Sequence, residues 1–124
     1  MVQSDLSDEL LDDIDLLLDQ VSELSCLDCN AASDLISYEL EREGVDHVRM
    51  CGSVVQVRSG EAVFPHCWIE LANGQILDVR LQKYFPYDED APHGRFRSDG
   101  AYLYRGSVAI DERIPEDLLA AMAA

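Results

Sequence analysis

A thiol, an imidazole and a carboxylate are enough for covalent acyl chemistry, and this chain carries them in the order Cys29, His66, Asp78. A thiolate is the nucleophile; it needs a base to manage its proton and a third group to orient that base. Cys29 opens the stretch "CNAASDLISYELEREG", where a helix is expected to begin. The unpaired N–H groups and dipole of a helix N-terminus favour negative charge and lower a thiol's pKa. The N–H of Cys29 itself would be free to help hold an oxyanion. Asp28 beside it works against the thiolate, so the sulfur depends more heavily on a nearby imidazolium. His66 is suited to supply it, with Asp78 fixing the ring's tautomer.

Whether His66 and Asp78 meet depends on one turn. Both lie in "FPHCWIELANGQILDVR", residues 64–80, which reads as a β-hairpin around Asn73-Gly74. A two-residue Asn-Gly loop would pair Ile69 with Asp78 and send the imidazole and the carboxylate to opposite faces of the sheet. A three-residue loop of Ala72, Asn73 and Gly74, with Gly74 left-handed, pairs Trp68 with Asp78 instead. His66 then opposes Arg80, and Asp78 lies on its diagonal on the same face, within side-chain reach. Catalysis therefore requires the longer loop or an equivalent bulge.

The remaining elements follow from periodicity. In residues 5–24, Leu6, Leu10, Ile14, Leu17, Leu18, Val21 and Leu24 recur every three or four positions, an amphipathic helix with its aspartates on the opposite face. Asp5, Asp8 and Glu9 complement its dipole. A second helix follows, with Ser25 and Asp28 as a capping box, Ala32, Leu35, Ile36 and Leu40 as its buried stripe and Gly44 as its stop. "VDHVRMCGSVVQVRS" and "AYLYRGSVAI" read as strands, 86–100 as a surface loop, and "IPEDLLAAMAA" as a C-terminal helix with Pro115 in its first turn. The expectation is one α+β domain over residues 1–124: an acidic helix (1–24), a core bearing the chemistry (25–85), then loop, strand and helix (86–124).

The order Cys, apolar helix closed by Gly-Val, His-x-Trp-x-Glu and a downstream Asp resembles the transglutaminase-like superfamily, which is papain-like in fold. "CNAASDLISYELEREGV" is similar to its nucleophile helix, "HVRMCGSV" to the next strand, "HCWIEL" to its histidine strand and "ILDVRLQKYF" to its aspartate strand. Small bacterial relatives follow the aspartate with a Gln and an aromatic, here Gln82 and Tyr84 or Phe85, and leader peptidases of ribosomal peptide maturation are similar in size and layout. The resemblance spans roughly residues 25–85. It implies Cys29 as nucleophile, His66 as general base and Asp78 as orienting acid, with Trp68 lining the site or bracing the sheet and Gln82 near the substrate. Cys26 is the competing nucleophile; the distance from Cys29 to Gly44 matches the family helix and favours Cys29. The implied reaction is thioester formation from an amide, resolved by water (a peptidase or amidase) or by an amine (an acyltransferase). A short chain has little material for a water-excluding second substrate site, which favours hydrolysis. No cofactor is implied.

Charge narrows the partners. The chain has 124 residues and a formal net charge of −16. Residues 1–41 hold 12 acids and no base, leaving 13 acids against 9 bases in the rest. Such a surface repels nucleic-acid phosphates and anionic membranes and suits a peptide or protein substrate of basic character. Without a basic n-region or a long apolar run, and with four cysteines, the expected setting is the reducing cytoplasm. Rival readings use the same residues. Cys26, Cys29, Cys51 and Cys67 with His47, His66 or His93 would make a zinc site, though Cys51 and Cys67 are isolated singles rather than a second close pair. A thioredoxin-type C-x-x-C would follow a buried strand, and here it follows an acidic helix. A DNA-mimicking acidic surface and a catalytically degenerate papain-like binding or inhibitor protein are the remaining alternatives.

Overall fold

The computed structural model describes residues 6–109 together with Ala121. Two helices, α1 (Asp8–Ser22) and α2 (Cys29–Arg42), precede five strands: β1 (His47–Gln56), β2 (Ala62–Leu71), β3 (Ile76–Asp78), β4 (Gly94–Phe96) and β5 (Tyr102–Val108). The strands form one sheet in the order β4-β3-β2-β1-β5, and all four pairings are antiparallel. The result is a small α+β domain with both helices packed against one face of the sheet. The C-terminal helix expected at 114–124 lies outside the described residues apart from Ala121. Among the described residues no helix is long and apolar enough to cross a membrane.

Period-two alternation divides two cores between the faces of the sheet. Ile69, Leu71, Leu77 and Val79 meet Ile14, Leu18 and Val21 of α1 and Ala32, Leu35, Ile36 and Leu40 of α2. The stripe read for α2 is thus the one it buries. On the opposite face Val54, Trp68, Ile76 and Tyr102 are covered by Leu81, Phe85 and Ala91 from the segment after β3. That segment contains β4, which the sequence reading placed within a surface loop. Arg95 of β4 ties the strand to α1 through a two-point ion pair with Asp15, at 2.8 and 2.9 Å.

The β2–β3 connection has the three-residue form. Leu71 N donates to Gln75 O (2.9 Å), Gly74 N to Leu71 O (2.9 Å), and Gly74 sits at φ +91°. Ile69 pairs with Leu77 and Glu70 with Ile76, the register that places Trp68 opposite Asp78. Asn73 Oδ1 accepts from Gln75 N at 2.9 Å, an Asx turn that stabilises this loop. His66 and Asp78 are thereby committed to one face. Directly across β1 from His66 is Gly52, itself paired with Gly106 of β5. A Cβ on Gly106 would stand 2.8 Å from the Trp68 indole, so the absent side chain is the space that Trp68 fills.

Candidate active site

Cys29 is the first residue of α2. The cap is Asp28, whose Oδ1 accepts from Ala31 N at 2.8 Å, rather than the Ser25 box expected from sequence; Asp28 satisfies the helix end directly and leaves Ser25 exposed. As N1, Cys29 keeps an N–H with no partner one turn back. β3 ends at Asp78, two residues before it would cover His66, and the chain turns into the 3-10 segment Leu81–Lys83. The N-terminus of α2 meets the sheet at this opening, where Cys29, Cys67, Asp78 and Arg80 line one narrow crevice.

His66 Nε2 and Asp78 Oδ2 are 2.7 Å apart, and the two side chains are 0 % and 1 % exposed. The carboxylate is held from four sides. Tyr104 Oη donates to Oδ2 at 2.9 Å, while the backbone N–H groups of Arg80 and Leu81 donate to Oδ1 at 2.9 and 3.1 Å. A buried carboxylate needs this much compensation. Because Nε2 is taken, Nδ1, buried and without a hydrogen-bond partner, is the nitrogen left to serve a sulfur. Around the ring, Trp68 stacks at 6.1 Å and Tyr84 stands edge-on at 5.6 Å.

The electrostatics point one way. The Cys67 thiol hydrogen bond, the His66 ring and the Cys67 backbone N–H together bring the Cys29 thiol down to about 4, overcoming the opposing effect of burial. Burial pushes His66 downward, but Asp78 and Cys29 outweigh it and raise the imidazole to about 9. Between these values the stable form is a thiolate beside an imidazolium, the resting state of an activated cysteine. Burial and the Asp78 carboxylate keep Tyr104 protonated, as a permanent donor. Burial and the Cys29 sulfur likewise raise Tyr84.

Cys29 and Asp78 therefore line one crevice, and His66 is bonded to Asp78. Trp68 is 1 % exposed, with its Nε1 bonded to Glu70 Oε2 at 3.1 Å, so it braces the sheet and has no surface to offer a substrate. Gln82 is exposed and donates to the Ala91 carbonyl at 2.8 Å, tying the turn after β3 to the following loop. Cys26 is exposed on the connection before α2. His47 is engaged by Ser37 (2.7 Å) and the Val45 carbonyl (2.8 Å), and His93 lies 3.4 Å from Ser22 Oγ. Among the described residues no three His, Cys, Asp or Glu side chains are arranged to hold a metal ion.

Two further residues complete the site without having been singled out in sequence. Tyr104 is one. The other is Arg80, 7 % exposed, whose guanidinium donates to the carbonyls of Leu27 (2.8 Å), Leu24 (2.6 Å) and Val21 (3.3 Å). It closes the C-terminal end of α1 and fixes the connection leading into Cys29. In sequence an Arg two residues after an Asp suggests a charge pair; in the fold only its backbone N–H reaches Asp78. Comparison of the chain with protein-family models, with curated proteins and with solved structures yields no match.

Proposed function

We propose that this chain is a cysteine-dependent hydrolase of peptide or protein amides, built on a transglutaminase-like, papain-like core. The observation that carries the reading is His66, buried and bonded to Asp78 through Nε2 with its Nδ1 unpartnered, beside the crevice that Asp78 and Cys29 both line. In this reading the Cys29 thiolate attacks an amide carbonyl. The N–H of Cys29 receives the developing oxyanion, and Tyr84, edge-on to His66, would supply the second donor. His66 protonates the departing amine from Nδ1, leaving a thioester on Cys29. The now neutral ring then takes a proton from water, which hydrolyses the thioester. Asp78 keeps Nε2 protonated throughout.

A neighbouring cleft, linked to His66 through Tyr84, suggests what the site would accept. Phe64 is 75 % exposed and Tyr84 41 %, both beside a cleft that also includes Glu61, Ala62, Val63 and Phe85. An apolar side chain on the substrate would fit that lining, and a basic one would answer the net charge of −16. The test is intact-mass detection of a covalent adduct from a peptidyl electrophile, mapped to one cysteine, together with turnover of peptide amides. Adduct at Cys29 in wild type and its loss in His66→Ala support the proposal. Labelling at Cys26, or equal labelling in both proteins, refutes it.

A further inference from the structure

Acyl transfer uses one thiol, yet the structure brings three together. Cys67 follows His66 in β2 and points to the opposite face of the sheet, toward α2. Its sulfur lies 3.5 Å from Cys51 Sγ and 3.8 Å from Asn30 Oδ1, on the residue after Cys29. It lines the same narrow crevice as Cys29. All four cysteines of the chain are reduced, and Cys67 is half-buried rather than sealed in the core. As small apolar strand residues, Cys51 and Cys67 would have no need to stack behind an activated sulfur.

We propose that Cys67 is a resolving thiol, so that a hydroperoxide reaching Cys29 is reduced at the expense of a Cys29–Cys67 disulfide. In the first step the Cys29 thiolate attacks the terminal peroxide oxygen. The O–O bond breaks, and the departing alkoxide or hydroxide takes the proton of the His66 imidazolium, giving Cys29 sulfenic acid plus an alcohol or water. In the second step the Cys67 sulfur attacks the sulfenic sulfur. The S–O bond breaks and the thiol proton leaves with hydroxide as water. Two thiols supply the two electrons that the peroxide accepts. The geometry selects Cys67 over the alternatives: Cys26 is exposed on the preceding connection, and Cys51 stands behind Cys67 in the adjoining strand. The burial of the Cys67 thiol and its hydrogen bond to Cys29 keep it protonated until the sulfenic acid forms. The proposal rests on Cys29 and Cys67 lining one crevice and does not require that Cys29 hydrolyse amides.

The experiment treats the reduced full chain with hydrogen peroxide near neutral pH, then reads intact mass and the disulfide map. Wild type is expected to lose two hydrogens, to link the Cys29 and Cys67 peptides, and to lose iodoacetamide labelling at Cys29 until dithiothreitol restores it. Cys67→Ser is expected to stop at the sulfenic acid, trapped by dimedone on Cys29, while Cys51→Ser still forms the same disulfide. Dimedone-reactive Cys29 accumulating in wild type without linkage would overturn the proposal. So would a Cys51–Cys67 disulfide formed equally fast in Cys29→Ala, because oxidation would then bypass Cys29. Acyl-adduct formation with a peptidyl electrophile, measured separately on the reduced protein, distinguishes failure here from failure of the hydrolase reading.

Discussion

Iodoacetamide should alkylate Cys29 faster than a free thiol in acid and more slowly in alkali, with the two rates crossing near neutrality. The Cys29 thiol is held at about 4 against an ordinary 9.0. At pH 5 an ordinary thiol of that value is thiolate in roughly one molecule in 10⁴, whereas Cys29 is almost wholly ionised. Lowering the pKa also weakens each thiolate: a Brønsted slope of about 0.4–0.5 over that difference removes roughly two orders of magnitude of intrinsic nucleophilicity. The net advantage at pH 5 is therefore about 50-fold, falling to about fivefold at pH 6 and vanishing near pH 7. The assay is the second-order alkylation rate at each pH, resolved to Cys29 by peptide mapping, against glutathione measured in parallel. His66→Ala removes the imidazolium and should push the midpoint of the profile up toward the ordinary thiol range. A wild-type profile that tracks glutathione at every pH would refute the ion-pair reasoning, however the three side chains are arranged.

Four other outcomes follow from the same geometry. Hydrolysis should be bell-shaped in pH: activity appears as pH rises through about 4, when Cys29 ionises, and fades through about 9, when His66 loses its proton; kcat/KM against pH checks it. Asp78→Asn turns an acceptor toward His66 into a donor and selects the wrong tautomer, so kcat should fall by about 10³–10⁴, as in serine triads, with circular dichroism unchanged. Tyr104→Phe removes a donor that competes for Asp78, which strengthens the acid's hold on His66 and should move the alkaline limb to higher pH. Arg80→Met leaves the Leu24 and Leu27 carbonyls without their donor and should lower stability by about 2–5 kcal/mol in urea unfolding.

The register of the hairpin was narrowed in sequence to two loop lengths, because it is a local problem, and the structure has the three-residue form. Asn-Gly names the turn, side-chain alternation converts loop length into facing, and only one loop length puts His66 and Asp78 on the same face. The helices were legible for the same reason, since their apolar stripes are written within a few residues, whereas their caps, Ser7 and Asp28, differ from the sequence reading. What remained hidden was set by contacts far apart in the chain. Tyr104 reaches Asp78 from 26 positions away, and nothing around "AYLYRGSV" distinguishes it from Tyr102, whose hydroxyl instead sits 2.5 Å from Asp88. β4 is three residues, Gly-Arg-Phe, inside a charged stretch too short to show alternation; it exists because β3 offers an edge and Asp15 a partner for Arg95. The resemblance left Trp68 either lining the site or bracing the sheet; the missing side chain of Gly106 gives it a buried seat.

Arg80 shows why the three chemical groups hold together despite coming from three elements. Its backbone N–H and that of Leu81 pin one oxygen of Asp78, which fixes the carboxylate against His66. Its guanidinium, reaching the other way, gathers the carbonyls of Val21, Leu24 and Leu27 just upstream of Cys29. A single residue thus registers the α1–α2 connection, and with it the first turn of α2, against the strand end that carries the acid. Hydrophobic packing of α2 on the sheet is roughly nondirectional and tolerates small slides. A forked cation with its donors committed to fixed carbonyls does not. The distance between the sulfur and the imidazole is therefore governed less by the core beneath them than by this buried clamp. Displacements of about 1 Å are what separate a productive constellation from an idle one.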